Sequence, residues 1–340
     1  VYGVPLHRRG GVELAERLDR LVWRLVAWRW QRRGVPRSLT VVLDSTVVVR
    51  YGEQQAGAEK GYNPKKPGRP SHHPLVAFAQ ETGDCLGVRW RPGSAHTAAG
   101  SAAWLETLVT RLRALGVERI TVRLDKGFFS RAMVATLDSL GVDYLLKLRA
   151  HHWVLAELGD WQRAPTDRYL ETACGTLWGA RLVAVRRWKP LAAQGEQHEL
   201  LPDDRCLELF AAILTNRDDL SPLAAWRRYN RGAVVEQRIE ELSQLGVGRA
   251  AIDDQGGNAL LWALGALTYQ LFHIARRELA HGGWKNAQPR RWRLPMIRLP
   301  GKLTRHSGKH YLQLVRDHPW RQRLLAALRL AHDLPPPCAA

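Results

Sequence analysis

The spacing of hydrophobic positions predicts alternating helices and strands in the first half of this chain. Helical spacing runs through residues 12–32, and further helices are predicted near 99–115 and 130–140. Strand-like apolar runs lie between and beside them, at 39–49, 75–80, 85–91, 120–124 and 142–148. This succession of strand, helix and strand is a βαβ pattern, so we expect an α/β fold.

The second half of the chain follows a different pattern. Short strand-like runs at 169–173, 181–187 and 207–214 predict a β-rich stretch. Helical spacing returns at 223–245 and 259–280, and a final helix is predicted near 316–332. Between these helices, residues 283–310 are expected to be a loop-rich basic segment.

These patterns divide the chain into five predicted parts. They are a helical basic N-terminal segment (1–38), the first part of a core (39–158), a β-rich insertion (159–218), the remaining core helices (219–282) and a basic C-terminal region (283–340). The chain starts with neither Met nor a signal-peptide pattern, so we expect it to be the trimmed end of a longer product.

One carboxylate, Asp44, interrupts the most apolar strand-like run, Leu39 to Val49. Its neighbours are nearly all Val, Leu or Thr, residues that fit a pleated and half-buried surface. Burying an ionised carboxylate is costly unless a partner compensates its charge. That partner could be an arginine in a buried salt bridge, or it could be a divalent metal ion.

Two further acids could join Asp44. Asp125 ends a predicted strand, where open α/β sheets place their ligands, although it could also be a simple turn residue. Glu236 would share a helix face with Tyr229, although that face could also be an ordinary solvated one. Two aspartates on strands and one glutamate on a helix can converge on a pair of Mg²⁺ ions. Such a pair stabilises the attacking and leaving oxygens of a phosphodiester.

The net charge narrows the choice of partner. With 51 Lys and Arg against 32 Asp and Glu the formal charge is +19, which favours nucleic acid, or secondarily an anionic membrane surface. No apolar run is long enough to cross a bilayer, so we expect no spanning segment. The four cysteines show no CxxC spacing, which disfavours zinc and disulfides and favours a reducing cytoplasm.

Six segments are informative as a set rather than singly. They are Leu43–Thr46, Tyr51–Gln54, Lys60–Pro70, Arg91–Thr97, Arg123–Phe129 and Tyr229–Leu242. In this order and spacing they resemble bacterial insertion-sequence transposases of the DDE superfamily. The resemblance implies an RNase H-like mixed sheet flanked by helices. It also implies a β-rich insertion between the second aspartate and the glutamate-bearing helix, and a helical C-terminal region.

The same resemblance implies the chemistry of the site. Asp44, Asp125 and Glu236 would be the catalytic residues and the ligands of two Mg²⁺ or Mn²⁺ ions, with Asp44 binding both. The implied reaction is cleavage of DNA at the ends of a mobile element, followed by attack of the freed 3′-hydroxyl on target DNA. The implied partners are the element ends, the target DNA and a second copy of the chain. The implied location is the nucleoid of a bacterial cytoplasm.

The signature around Glu236 departs from the usual pattern. Gly232 stands where an arginine is usual, with Arg231 one residue earlier, and Ser243 stands where a lysine is usual. Lys126 also occupies a position at which a small residue is commoner. Two alternatives therefore stay open, namely another RNase H-like nuclease and a decayed transposase that only binds DNA.

Cations and rings near the predicted site suit contact with DNA. The candidates are Lys60, Tyr62, Lys65, Lys66, Arg69, Lys126, Tyr229 and Arg231. Five of them lie in a Pro- and Gly-rich loop, whose cations could reach successive phosphates or could simply be solvated. Rings close to basic residues are further candidates for stacking on DNA or contacting a protein, namely Trp28, Trp30, Trp284, Trp292 and the pair His72–His73.

Two other groups of residues carry weaker signals. For His96 a capping or polar core role and a role in the site are both open. Cys85, Cys174 and Cys206 are expected to be small core residues.

Overall fold

The computed structural model describes residues 8–51, 55–61, 63, 66–190, 205–231, 234–248, 250–280, 282–296, 298, 301–315, 317 and 321–333. Its α-helices are α1 (Arg8–Arg33), α2 (Ser101–Ala114), α3 (Arg131–Ser139), α4 (His152–Leu155), α5 (Pro222–Asn230), α6 (Val234–Leu242), α7 (Gln255–Ile274), α8 (Pro289–Met296) and α9 (Arg321–Asp333). Its strands are β1 (Ser38–Ser45), β2 (Val48–Val49), β3 (Ser71–His72), β4 (Leu75–Ala79), β5 (Cys85–Arg89), β6 (Arg119–Leu124), β7 (Asp143–Leu148), β8 (Gln162–Ala164), β9 (Asp167–Leu177), β10 (Ala180–Pro190), β11 (Arg205–Thr215), β12 (Gly301–His306) and β13 (Lys309–Leu314).

A mixed sheet of nine described strands organises the molecule, in the order β5-β4-β1-β6-β7-β11-β10-β9-β8. Strand β1 is antiparallel to β4 and parallel to β6, which is itself parallel to β7. The strands of the insertion continue the same sheet, because β11 pairs antiparallel with β7. The prediction of an α/β fold with a mixed sheet flanked by helices is confirmed.

Helices cover both faces of the sheet. On one face Leu43 packs in a cluster with Leu108 of α2. On the other face Val42 belongs to a cluster with Trp262 and Tyr269 of α7. Successive residues of a strand point to opposite faces, so the continuous apolar sequence of β1 is buried on both sides.

Helix α1 is part of this core and packs along α7 and β5. The buried Trp30 indole donates a hydrogen bond to Asp84 (2.8 Å), and Arg29 forms an ion pair with the same carboxylate (2.5 Å). Asp84 also accepts from Gln270 of α7 (2.7 Å). The predicted stacking of Trp28 and Trp30 on DNA is therefore wrong, because both rings are buried within the protein.

The single helix predicted over 223–245 is two helices. Helix α5 ends at Asn230 and α6 begins at Val234, so Tyr229 and Glu236 lie on different helices rather than on one face. The sequence between them contains Gly232, a residue type that disfavours helix interiors and lies here outside the described residues. The prediction also missed the π-helical turn Ser243–Val247 that follows α6.

A buried ion cluster ties α6 to the end of α7. Glu241 of α6 accepts from Arg276 at 2.6 and 3.2 Å, and from Arg238 at 2.9 Å. The Arg276 side chain is only 1% exposed. Removing one partner would leave the other buried charge uncompensated, so both partners are held in place. The cluster therefore holds α6 against the end of α7.

The C-terminal region contains more regular structure than the sequence predicted. Instead of a loop over 283–310, it holds α8 and a hairpin of β12 and β13, followed by the predicted last helix. Trp292 of α8 is buried against Phe272, so its predicted stacking on DNA is also wrong. Cys85 is buried as predicted, whereas Cys174 is exposed. No helix in the described ranges is long and apolar enough to cross a membrane.

Candidate active site

Two aspartates lie side by side at the carboxyl ends of the central parallel strands. The pairing of β1 with β6 runs in register up to Leu43 and Leu124, and Asp44 and Asp125 are the next residue on each strand. Strand β1 ends at Ser45, so Asp44 lies near the end of its strand and not in the middle of a run to Val49. Both side chains are half-buried.

Glu236 lies near the two aspartates, on a helix rather than a strand. It lies in the first turn of α6 and is exposed. Asp44, Asp125 and Glu236 all line one cavity of about 860 Å³. They also line a smaller neighbouring cavity of about 260 Å³. The three predicted carboxylates therefore line the same cavity.

The environment of Asp44 disfavours its negative charge. The pKa of Asp44 is raised from 3.8 to about 6, chiefly by burial and to a lesser extent by the negative charges of Asp125 and Glu236. Two groups oppose this rise in pKa, namely the backbone N–H of Ser45, which donates to Oδ1 at 2.7 Å, and the positive charge of Arg123. A cation bound to the Asp44 carboxylate would offset the cost of burying its charge.

A basic and aromatic group lies behind the carboxylates in the smaller cavity. The Arg123 guanidinium lies 4.4 Å from the centroid of the Tyr229 ring, and the Lys147 ammonium lies 5.6 Å from it. Burial raises the pKa of Tyr229 above its ordinary value, so this side chain stays a neutral hydroxyl. Leu124 of β6 pairs with Leu146 of β7, and the residues that follow them are Asp125 and Lys147. This register places the Lys147 ammonium beside the acids.

The loop after β5 brings His96 to the larger cavity. Arg91 holds this loop, because its guanidinium donates to the carbonyls of His96 (3.1 Å), Thr97 (3.0 Å) and Ala99 (2.8 Å). The exposed His96 ring accepts at Nδ1 from the backbone N–H of Ala98 (3.3 Å). In the neutral ring the proton is then on Nε2, which makes that atom a hydrogen-bond donor.

The basic loop predicted to bind DNA adjoins this wall of the cavity. A Cβ at Gly61 would lie 2.0 Å from the carbonyl oxygen of Gly93, so the two loops are in direct contact. Lys66 and Arg69 lie over the ring of Tyr51, at 4.7 and 5.7 Å from its centroid. Both cations are exposed and thus accessible to a phosphate backbone.

The other predicted DNA contacts lie in varied environments. Lys126 is exposed and lines the larger cavity. Lys60 and Arg231 are exposed, and neither lines the larger or the smaller cavity described above. Tyr62 and Lys65 lie outside the described residues.

The predicted contact of His72 with a DNA end is wrong, whereas His73 lines the larger cavity. Both side chains are buried, at 0% and 1% exposure. His72 packs on Trp90, with ring centroids 4.4 Å apart, and its Nε2 lies 3.3 Å from Oε1 of Gln55. His72 is therefore held within the protein, and the contact predicted for His73 stays a prediction.

The residues present fit a hard divalent cation in their chemistry. Carboxylate oxygens are the ligands that Mg²⁺ prefers, and here three carboxylates line one cavity, of which Asp44 has a raised pKa because of burial. In the conformation seen, the described part of the chain holds no group of three His, Cys, Asp or Glu side chains close enough to bind an ion. Of the three acids Glu236 is the most exposed, so it has the most room to adjust.

The sequence as a whole decides the family. A family model described as transposase DDE domain group 1 matches residues 7–335. The chain belongs to this family of transposases. No curated protein matches its sequence significantly.

This DDE-family chain is similar to several solved structures of transposases. A cryo-EM structure of the piggyBac transposase synaptic complex with hairpin DNA matches 72% of this chain and 50% of that one, with 13% identity and a TM-score of 0.40. A Mos1 mariner paired-end complex with Mn matches 39% of this chain and 42% of that one, with 20% identity and a TM-score of 0.23. A Mos1 transposase paired-end complex with the left transposon end matches 42% of this chain and 44% of that one, with 19% identity and a TM-score of 0.22. The chain spans about half the length of the first of these structures.

Sequence reasoning overlooked several residues of the site. Arg123 and Lys147 were not singled out, although each lies on a predicted strand next to the residue that ends it. Their place beside Asp44 follows only from the register of β1, β6 and β7. Arg91 and Arg149 were overlooked as well. Arg91 holds the His96 loop and Arg149 lines the larger cavity, and the sequence around neither residue indicates this role.

Proposed function

We propose that this chain catalyses DNA transposition, by cleaving DNA at the ends of a mobile element and joining the freed 3′ ends to target DNA. One observation carries the proposal. In a chain of the transposase DDE family, Asp44, Asp125 and Glu236 line a single cavity, although they are far apart in sequence and come from two strands and a helix.

In this proposal the three carboxylates hold divalent metal, and we favour two Mg²⁺ or Mn²⁺ ions. Bound metal activates water and stabilises the developing charge on the leaving oxygen of a phosphodiester. The protein residues bind and orient the DNA around that chemistry. Lys126 and His96 face the cavity where a phosphate would lie, and the neutral Tyr229 keeps Arg123 beside Asp44.

The DNA would extend from the cavity across the adjoining basic loop. Lys66 and Arg69 are placed to contact successive phosphates, and Lys60, Tyr62, Lys65 and Arg231 are further proposed contacts. Such contacts hold the duplex in place without reading its sequence. We further propose a homodimer on paired ends, a bacterial insertion sequence as the source, and action at the nucleoid.

The test compares the wild-type protein with Asp44→Asn, Asp125→Asn and Glu236→Gln. The substrates are duplexes ending in the terminal repeats that the protein selects from a random pool. We expect each variant to lose at least about a hundredfold in cleavage rate while binding the duplex as before. The matched control is Glu106→Gln, an exposed carboxylate on α2 that should cleave normally.

A second readout reports metal binding without activity. Mg²⁺ or Mn²⁺ should raise the unfolding temperature of the wild-type protein, because an ion that binds only the folded state stabilises it. The same addition should raise the unfolding temperature of Asp44→Asn much less. A wild-type protein that binds DNA but neither cuts it nor responds to metal would instead be a decayed transposase.

A further inference from the structure

The hairpin of β12 and β13 is set apart from the main sheet. Its strands pair from Gly301 opposite Leu314 to His306 opposite Lys309, and they pair with no other strand in the described ranges. Ser307 and Gly308 connect them, both at positive φ (49° and 77°). A two-residue turn with positive φ at both positions matches the twist of the flanking strands, so it fixes the register of the hairpin.

Nearly all the hairpin side chains whose burial is described are exposed. Leu303 is 68% exposed and Tyr311 is 46% exposed, values that are high for large side chains on a strand. A two-stranded hairpin is only marginally stable in water by itself, and it gains stability when it packs on something else. The observed hairpin therefore has a surface ready for a partner.

Its charge indicates what kind of partner fits. No Asp or Glu occurs between Glu278 and Asp317, whereas Lys and Arg recur throughout that stretch. Cross-strand partners lie on the same face, and alternate residues share it. One face therefore carries Lys302, Thr304, His306, Lys309, Tyr311 and Gln313. We call this the basic face, and it combines cations with side chains that donate or accept hydrogen bonds.

The dimensions of the hairpin suit the major groove of duplex DNA. Two strands about 4.8 Å apart, with their side chains, form a ribbon that enters a groove about 12 Å wide but not one about 6 Å wide. Each strand has six residues, which gives a length of about 20 Å. Lysine and glutamine are side chains that contact base edges in that groove.

We propose that this hairpin lies in the major groove of the duplex that the protein binds, with the basic face toward the bases and phosphates. The inference rests on the proposed function, because it assigns part of the recognition of DNA by the same enzyme. The opposite face, which carries Leu303, Arg305 and His310, would point away from the DNA.

The test measures binding of the full chain to a mixed-sequence duplex over a range of salt concentrations. Lys302→Ala combined with Lys309→Ala should weaken binding about tenfold and should lower the slope of log K against log salt by about 1 to 2. The matched control is Arg305→Ala with His310→Ala, which removes a cation and an imidazole from the opposite face. It should change both quantities much less. Thermal unfolding of each variant checks that these exposed substitutions leave the fold intact.

Protection of guanine N7 from methylation locates the groove. The wild-type protein should protect N7 atoms in the major groove, and Gln313→Ala should remove part of that protection or relax the preferred sequence. Protection that is unchanged by every substitution on the basic face would overturn the proposal. So would equal losses of affinity from substitutions on the two faces.

Two other outcomes separate this inference from the proposed function. If Leu303→Lys converts a dimer to a monomer and the basic-face variants bind DNA normally, the hairpin joins two copies of the chain and the proposal is wrong. If guanines are protected through the basic face but no DNA is ever cut, the hairpin inference holds and the transposase activity fails.

Discussion

Asp44 and Asp125 each follow a residue of the last registered pair, Leu43 with Leu124, on two parallel strands. Parallel strands in register end together, so two acids that are far apart in sequence become neighbours without any loop to position them. Their proximity is a property of the sheet, which makes it as rigid as the core itself.

The first prediction concerns the electrostatic cost of Asp44. Because the folded pKa of about 6 lies above the unfolded value of 3.8, the folded protein loses stability as pH rises between these values. In metal-free buffer at pH 8, Asp44→Asn should therefore raise the free energy of unfolding by up to about 3 kcal/mol. The gain should shrink towards pH 4, where the wild-type carboxyl is protonated.

Denaturant unfolding of both proteins at several pH values measures this gain. Glu106→Gln, at an exposed site, should show no such pH-dependent gain. If Asp44→Asn is instead less stable than the wild type at pH 8, then the ionised Asp44 side chain stabilises the fold and the prediction is wrong.

The second prediction concerns His96 as a donor to phosphate. Its Nδ1 is occupied by the N–H of Ala98, so only Nε2 can donate into the cavity. Replacement by Ala should slow single-turnover cleavage about tenfold or more, because one donor to the reacting phosphate is lost. Replacement by Gln, whose amide nitrogen falls near the position of Nε2, should keep most of the rate. Replacement by Asn, whose amide falls near Nδ1, should not.

The third prediction concerns the buried ion cluster of α6 and α7. Arg276→Met should lower the free energy of unfolding by about 3 kcal/mol, because Glu241 then remains buried with one partner fewer. The control is Arg37→Met, which breaks a well-formed but exposed pair with Glu118 and should have little effect. Chemical denaturation of both variants measures the difference, and equal effects would contradict a special role for the buried cluster.

The fourth prediction concerns instability in acid. Burial and the charge of Arg50 lower the pKa of His72 to about 4, and burial lowers that of His273 well below its ordinary value. At these two histidines the unfolded chain binds more protons than the folded one below about pH 6.5, so their contribution to stability should fall as pH drops from there towards 4, opposite in sign to the contribution of Asp44. His72→Phe should reduce this fall by up to about 3 kcal/mol. His152→Phe, at an exposed site, should leave it unchanged.

Local patterns were enough to predict much of the sheet and to single out two of the proposed site residues. The strands that bear Asp44 and Asp125 have apolar sequences that end at or near the acid, and each element needs only its own residues to be recognised. Glu236 was identified only through the surrounding signature, and its predicted shared helix with Tyr229 was wrong. A break of a few residues reverses which side chains share a face.

Other parts of the structure depend on contacts that no local pattern encodes. Trp30 sits among arginines, a context that suits either a DNA-facing helix or an amphipathic one whose rings are buried. Only the position of Asp84 on the neighbouring turn decides between them. The C-terminal hairpin was overlooked for a different reason, because its strands have one basic face and few apolar residues to mark it.

The contacts of α1 also determine which fragments of the protein are suitable for experiments. A fragment starting at Ser38 would lose the indole and guanidinium that satisfy Asp84, and it would uncover the side of α7 on which the helix packs. A buried acid that has lost its arginine, next to a newly exposed apolar surface, favours aggregation over folding. Expression libraries and split-protein designs should therefore keep the first helix on the same polypeptide as the strands.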